Sequence, residues 1–185
     1  MTEQDYEASI PARLKDNALW PAFQRPTFLS ELDGLADDAI MRGTHDSYLG
    51  AMLIYSQLAE EIARLLLADA EFFVQLHLYP HEIHLAVQER ATLGELIGAL
   101  KRAIVFQGRD VVLSECQALN DIRGELVHRL TRKSSLDGVK ADVEAARTRF
   151  QKLFAGFQEA HSFFWLYFKD CAKDDTWWER VEEGG

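Results

Sequence analysis

Apolar residues recur every three or four positions along most of this chain, the spacing that places them on one face of a helix. From Tyr48 to about Phe73, Leu49, Met52, Leu53, Ser56, Ala59, Ile62, Ala63 and Leu66 keep that rhythm, and Glu60 and Arg64 form an i, i+4 pair in the favoured order. A second, longer stripe runs from about Val139 to Cys171 through Val143, Ala146, Phe150, Leu153, Phe154, Phe157, Ala160, Phe164 and Phe168. Between them, Thr92 with Glu95 makes a capping box for a helix through Leu93, Leu96, Ile97, Leu100 and Ile104, stopped at Gly108. A further helix is expected from about Val111 to Thr131, and a shorter one from about Ser30 to Met41, ended by Gly43 and capped anew at Thr44.

Prolines stand only at positions 11, 21, 26 and 80, so the C-terminal half is free to form long helices. Tyr79-Pro80 ends the second-quarter helix, and Ile83–Val87 alternates briefly as a short extended piece would. The expected fold is all-α: an antiparallel bundle of about five helices with short loops. Residues 1–27 read as an N-terminal arm with a short helix near Tyr6–Lys15, residues 28–172 as the bundle, and 173–185 as an acidic tail. Trp177-Trp178 in that tail is either a docking segment or a flap folded back on the bundle.

Composition adds little to this picture: 48% hydrophobic and 27% charged residues are ordinary for a globular chain. A chain of 185 residues buries roughly 70% of its unfolded surface and needs no disulfide or metal to fold. Cys116 and Cys171 are far apart and read as core thiols of a reduced compartment. The N-terminus is acidic and polar, unlike a signal peptide, and no apolar run reaches the roughly 18 residues of a membrane span. A cytoplasmic location without membrane contact is expected.

Charge changes the picture at one place. The formal net charge is −10, which disfavours general nucleic-acid binding. Residues 101–133 nevertheless carry seven basic and four acidic side chains, while both flanks are net acidic. That basic segment contains Arg123-Gly-Glu-Leu-Val-His128.

At about 100° per residue, with Arg123 at zero, Cys116 falls near 20°, Val127 near 40°, Leu130 near −20°, Leu119 near −40° and Leu126 near −60°. Arg123 thus sits in the middle of the apolar stripe, where its permanent charge demands either a carboxylate partner on another helix or an open site that holds an anion. His128 lies about 140° away, beside Asp121 and Glu125. A carboxylate three residues earlier favours the imidazolium, better suited to a general acid or phosphate contact than to a ready base. An arginine to stabilise phosphate charge and a histidine to move a proton suffice for RNA cleavage without metal. On one helix the two face apart, so acting on one phosphate requires a helix distortion or a second chain.

Leu119-Asn-Asp-Ile-Arg-Gly-Glu-Leu-Val-His128 resembles the motif of the HEPN superfamily, an Arg and a His four to six residues apart near the end of a helical bundle. Thr92-Leu-Gly-Glu-Leu-Ile97 looks like the Leu-Gly helix start that often precedes it, and the order and spacing are similar to the mannitol operon repressor branch. The likeness covers roughly residues 45–170. It implies a bundle that dimerises along the motif helices. Many members are metal-independent endoribonucleases of toxin–antitoxin or phage-defence systems, with Arg123 and His128 in the catalytic positions. Asn120, Asp121 and Glu125 would support them, and Arg129, Arg132 and Lys133 would contact the RNA. Active members commonly carry Asn, Asp or His after the arginine, where this chain has Gly124. The other reading is therefore a non-catalytic HEPN interaction module or co-regulator, with an antitoxin or regulatory protein as partner.

Remaining constellations are weaker. His77, His81 and His84 supply metal-ligand types, but Pro80 breaks the helix that would align them, so a polar loop is expected and no metal or cofactor. The chain has no P-loop, GxGxxG or GxSxG. The aromatic stripe Phe150–Phe168 reads as core rather than as a base-stacking platform.

Overall fold

The two long apolar stripes become the two longest helices of the structure, a computed structural model that describes residues 10–20, 26–81, 83, 90–130 and 136–183. Seven α-helices occur among the described residues, and no strand: α1 (Ile10–Lys15), α2 (Pro26–Arg42), α3 (His45–Leu78), α4 (Leu93–Arg102), α5 (Arg109–Arg129), α6 (Leu136–Cys171) and α7 (Asp175–Glu183). The fold is an all-α helical bundle. No helix of the described residues is long and apolar enough to cross a membrane.

Local chemistry sets several boundaries. Gly43 takes φ 69°, a left-handed conformation that suits glycine, and turns the chain between α2 and α3. Ser47 then accepts from the Thr44 backbone N–H at 3.0 Å, which caps α3 from His45 rather than from Tyr48. The predicted capping box is present at α4: the Thr92 N–H donates to Glu95 Oε2 at 2.7 Å, and the Glu95 N–H donates to Thr92 Oγ1 at 3.5 Å. Helix α2 starts at Pro26 instead of Ser30, because proline is well suited to a first helical turn, whose N–H groups lack partners anyway. Gly108 does not stop a helix continued from α4, which already ends at Arg102; it caps the start of α5 with φ 80°. A Cβ there would lie 2.7 Å from the Gly156 carbonyl oxygen, so α5 begins in close contact with α6. The extended piece expected at 83–87 lies outside the described residues except for Ile83, whose N–H donates to the buried Gln75 side chain.

Consecutive long helices run antiparallel, but α3 and α6 run parallel, as successive ring pairs show: Tyr55 meets Phe150 at 5.2 Å and Phe72 meets Phe168 at 4.8 Å. Helices α2 and α5 flank that pair in the opposite direction, and α4 lies against α3 and α5. The core between them includes Tyr55, Leu66, Phe72, Leu93, Leu96, Leu119, Phe164 and Phe168. Polar ties cross the same layers. Asp37 accepts from Tyr55 Oη at 2.7 Å and from Arg147 Nη2 at 2.6 Å, joining α2, α3 and α6. Arg149 pairs with the buried Glu115 at 3.3 Å between α6 and α5. The expected Glu60–Arg64 pair is replaced: Arg64 donates to the Ala91 carbonyl at 2.6 Å, and Glu60 turns to α5.

The first and last described segments both join the core. The described part of the expected N-terminal arm, residues 10–20, buries Ile10, Leu14 and Trp20, and the Trp20 ring meets Phe168 edge-on at 5.5 Å. In the acidic tail, residues 175–183 are helical, and Trp177 is buried, donating from Nε1 to the Leu76 carbonyl at 3.0 Å. Of the two readings of Trp177-Trp178, the flap folded back on the bundle is the arrangement found.

Candidate functional site

Helix α5 carries the Arg-x4-His motif, and its burial pattern shifts the expected stripe. Val112, Glu115, Cys116, Leu119 and Leu126 are buried, whereas Val127 is 66% exposed. The buried face is centred roughly 35° to one side of Arg123, which lies within it, half-buried, between Val112 and Cys116. Val127 and Leu130 stay exposed despite their place in the pattern, while Leu126 beside them is buried.

Arg123 meets a carboxylate from another helix. Its Nη1 lies 3.2 Å from Glu60 Oε1 on α3, with 38% of the arginine side chain and 15% of the glutamate side chain exposed. Glu60 also accepts from Gln57 Nε2 at 3.3 Å, so it is held from its own helix as well. A guanidinium has five N–H donors, and only Nη1 is engaged by Glu60 among the described residues. Arg123 is thus positioned rather than consumed.

His128 is exposed on the far side of α5. Five residues of α-helix separate it from Arg123 by about 140° of rotation and about 7.5 Å of rise, so one chain does not aim both at one atom. The structure keeps the two apart, since α5 is continuous α-helix from Arg109 to Arg129. Of the supporting residues, Asn120 is half-buried, its Nδ2 about 4.0 Å from where a Cβ on Gly94 would stand, so it faces the start of α4 instead of His128. Asp121 is exposed and accepts from Gln117 Nε2 at 2.9 Å, and Glu125 is exposed. The Arg129 side chain, Arg132 and Lys133 lie outside the described residues. Gly124 is open: a Cβ there would meet nothing within 4 Å, so packing does not require glycine after Arg123.

No family model, no curated protein and no solved structure matches this chain. The site must be weighed on its own geometry.

The other expected chemistry resolves in local contacts. His77 stacks on Tyr167 with centroids 5.0 Å apart, and the tyrosine hydroxyl lies 2.7 Å from His77 Nε2. His81 follows the turn at Pro80, and His84 lies outside the described residues. No group of three His, Cys, Asp or Glu side chains placed to hold a metal occurs among the described residues. Cys116 and Cys171 are both buried.

Sequence reasoning missed one site. Phe150, Phe154, Phe157 and His161 form a ladder of rings along α6, with successive centroids 6.4, 6.1 and 5.8 Å apart. Phe150 is core and Phe157 packs against it, as expected, but Phe154 is 44% exposed. It walls a cleft of about 380 Å³ against α2 and α3. Periodicity alone could not reveal it, because a cleft wall and a core face share the same helical spacing.

Proposed function

We propose that this chain is a HEPN-type protein that acts as a homodimer and cleaves RNA without a metal, in a toxin–antitoxin or phage-defence setting. The observation that supports this reading most is the disposition of Arg123: Glu60 steadies it while 38% of its side chain stays open to solvent. His128 stands exposed one and a half turns further along the same helix. In this mechanism the 2′-hydroxyl of the RNA loses its proton to water and attacks the adjacent phosphorus, forming a 2′,3′-cyclic phosphate as the 5′ oxygen leaves. Arg123 stabilises the charge that builds on the phosphate oxygens, and a protonated His128 gives its proton to the leaving oxygen.

The 140° between the two side chains calls for Arg123 of one protomer and His128 of its partner to share a cleft. Val127 and Leu130 flank His128 and are 66% and 38% exposed, supplying the apolar contact that such a seam requires. Arg129, Arg132 and Lys133 would track the RNA backbone on either side.

A second reading has its own support. Glu60 offsets the charge of Arg123, and Asp121 and Glu125 line the flank toward His128. That balance suits a non-catalytic HEPN interaction module or a co-regulator like the mannitol operon repressor. Incubation of the purified chain with RNA in the presence of a chelator separates the two. Cleavage by the wild type, reduced about 10²-fold or more in Arg123→Ala and in His128→Ala, supports the nuclease. If the wild type and His128→Ala are equally harmless in cells and neither cuts RNA, the nuclease reading fails. A strictly monomeric mass in solution removes the shared cleft.

A further inference from the structure

We propose that the cleft between α2, α3 and α6 binds a small organic cation with an apolar, ring-bearing body. This site is independent of the nuclease reading. The cleft-lining Leu58, Ile62 and Leu65 lie on one face of α3, and Glu60, which meets Arg123, lies about 160–220° around the same helix.

Size and lining set the ligand class. A volume of about 380 Å³ falls at the lower end of the ~300–1,000 Å³ usual for small-molecule sites, too small to seat a partner helix. One wall is aliphatic, from Leu58, Ile62 and Leu65, and the other is the ring ladder of α6. Those rings offer aromatic surface to an apolar body, and aromatic rings also attract cations. Leaving Phe154 44% exposed at the mouth wastes apolar surface that an occupant would cover.

Charge sets the head group. Asp33 and His161 are the ionisable residues of the lining, and no lysine or arginine lines the cleft among the described residues. Just outside, Arg147 and Asp37 offset one another at 2.6 Å, which leaves Asp33 as excess negative charge on that rim. Partial burial, then the neighbouring Asp37, hold the Asp33 carboxyl above its ordinary pKa, with Arg147 only partly opposing them. A ligand ammonium would relieve that repulsion. At the other end, the buried Asp69 lies 3.8 Å from His161 Nδ1, which places a second carboxyl behind that wall. An anionic ligand would find no lysine or arginine on these walls.

The test is isothermal titration calorimetry of the full chain with 3-phenylpropylamine and with 4-phenylbutyrate, which pair one apolar body with opposite charges. The amine is expected to bind saturably and at least about threefold more tightly than the acid, as a rim carboxylate near water can supply. Asp33→Asn keeps the shape and is expected to erase that preference. Ser30→Trp, at an exposed rim position, fills the mouth and is expected to abolish binding of both, while circular dichroism verifies that each variant is folded. Equal affinity for the two probes, amine binding that survives Ser30→Trp, or no saturable heat at about 5 mM amine overturns the proposal. So does a concentration-dependent dimer that Phe154→Ala disrupts, since a second copy would then be the occupant.

Discussion

At the scale of single residues, Arg123 and Gly124 are neighbours under opposite constraints. Arg123 is held by a glutamate 63 positions earlier, yet both partners keep contact with water, so the pair adds at most about 1 kcal/mol to stability. Its consequence is orientation: the guanidinium is held half-buried with donors to spare. Gly124 has no such tie. Its missing Cβ would meet nothing within 4 Å, and glycine inside a helix costs about 0.5–1 kcal/mol relative to alanine. Gly124→Ala is therefore expected to raise stability by about 0.5–1 kcal/mol in urea melts. A loss of stability together with a loss of dimer mass would instead show that the bare backbone at 124 meets a second chain.

At the scale of elements, the helices legible in the sequence were those with a strong local signature. The capping box at Thr92 and Glu95, the break at Gly43 and the long stripes of α3 and α6 all depend on residues within a few positions of one another. What was not legible depends on distant partners. The Arg123–Glu60 contact spans 63 residues and the Arg147–Asp37 contact 110, beyond the reach of any periodicity. Phe154 reads as core until α2 is seen to leave a gap beside it. The tail fails for a related reason. A nine-residue helix is marginal in water by itself, so α7 exists because Trp177 docks under Leu76 and beside Tyr79 at 5.9 Å. Trp177→Ala removes a buried ring and is expected to cost up to about 3–5 kcal/mol, less if α7 detaches locally. Hydrogen exchange decides between these: selective loss of protection over residues 175–183 marks local detachment, and uniform loss marks global destabilisation.

At the scale of the whole molecule, the parallel pairing of α3 and α6 makes stability a shared property of sequence-distant helices, so one buried group can set a global response. Cys116 sits fully buried on α5, and burial, helped by the Glu115 carboxylate, pushes its thiol from an ordinary 9.0 up to about 12. The folded state then holds the proton more tightly than the unfolded chain. Below pH 9 both states carry it and stability is unaffected. As the pH rises from about 9 toward 12, only the unfolded chain loses the proton, so stability falls, by up to about tenfold in the folding equilibrium constant per pH unit. Tyr55 adds to the fall from about pH 10, because its burial, together with its hydrogen bond to Asp37, raises its hydroxyl well above its ordinary value. Urea melts at pH 8, 9 and 10 should therefore show the decline begin before tyrosine titrates, and Cys116→Ala should flatten that first interval while lowering stability at pH 8 through the small cavity it leaves. If the wild type and Cys116→Ala lose stability in parallel between pH 9 and 10, the thiol is not protected, and the packing of α5 against α6 must open often enough in solution to admit base.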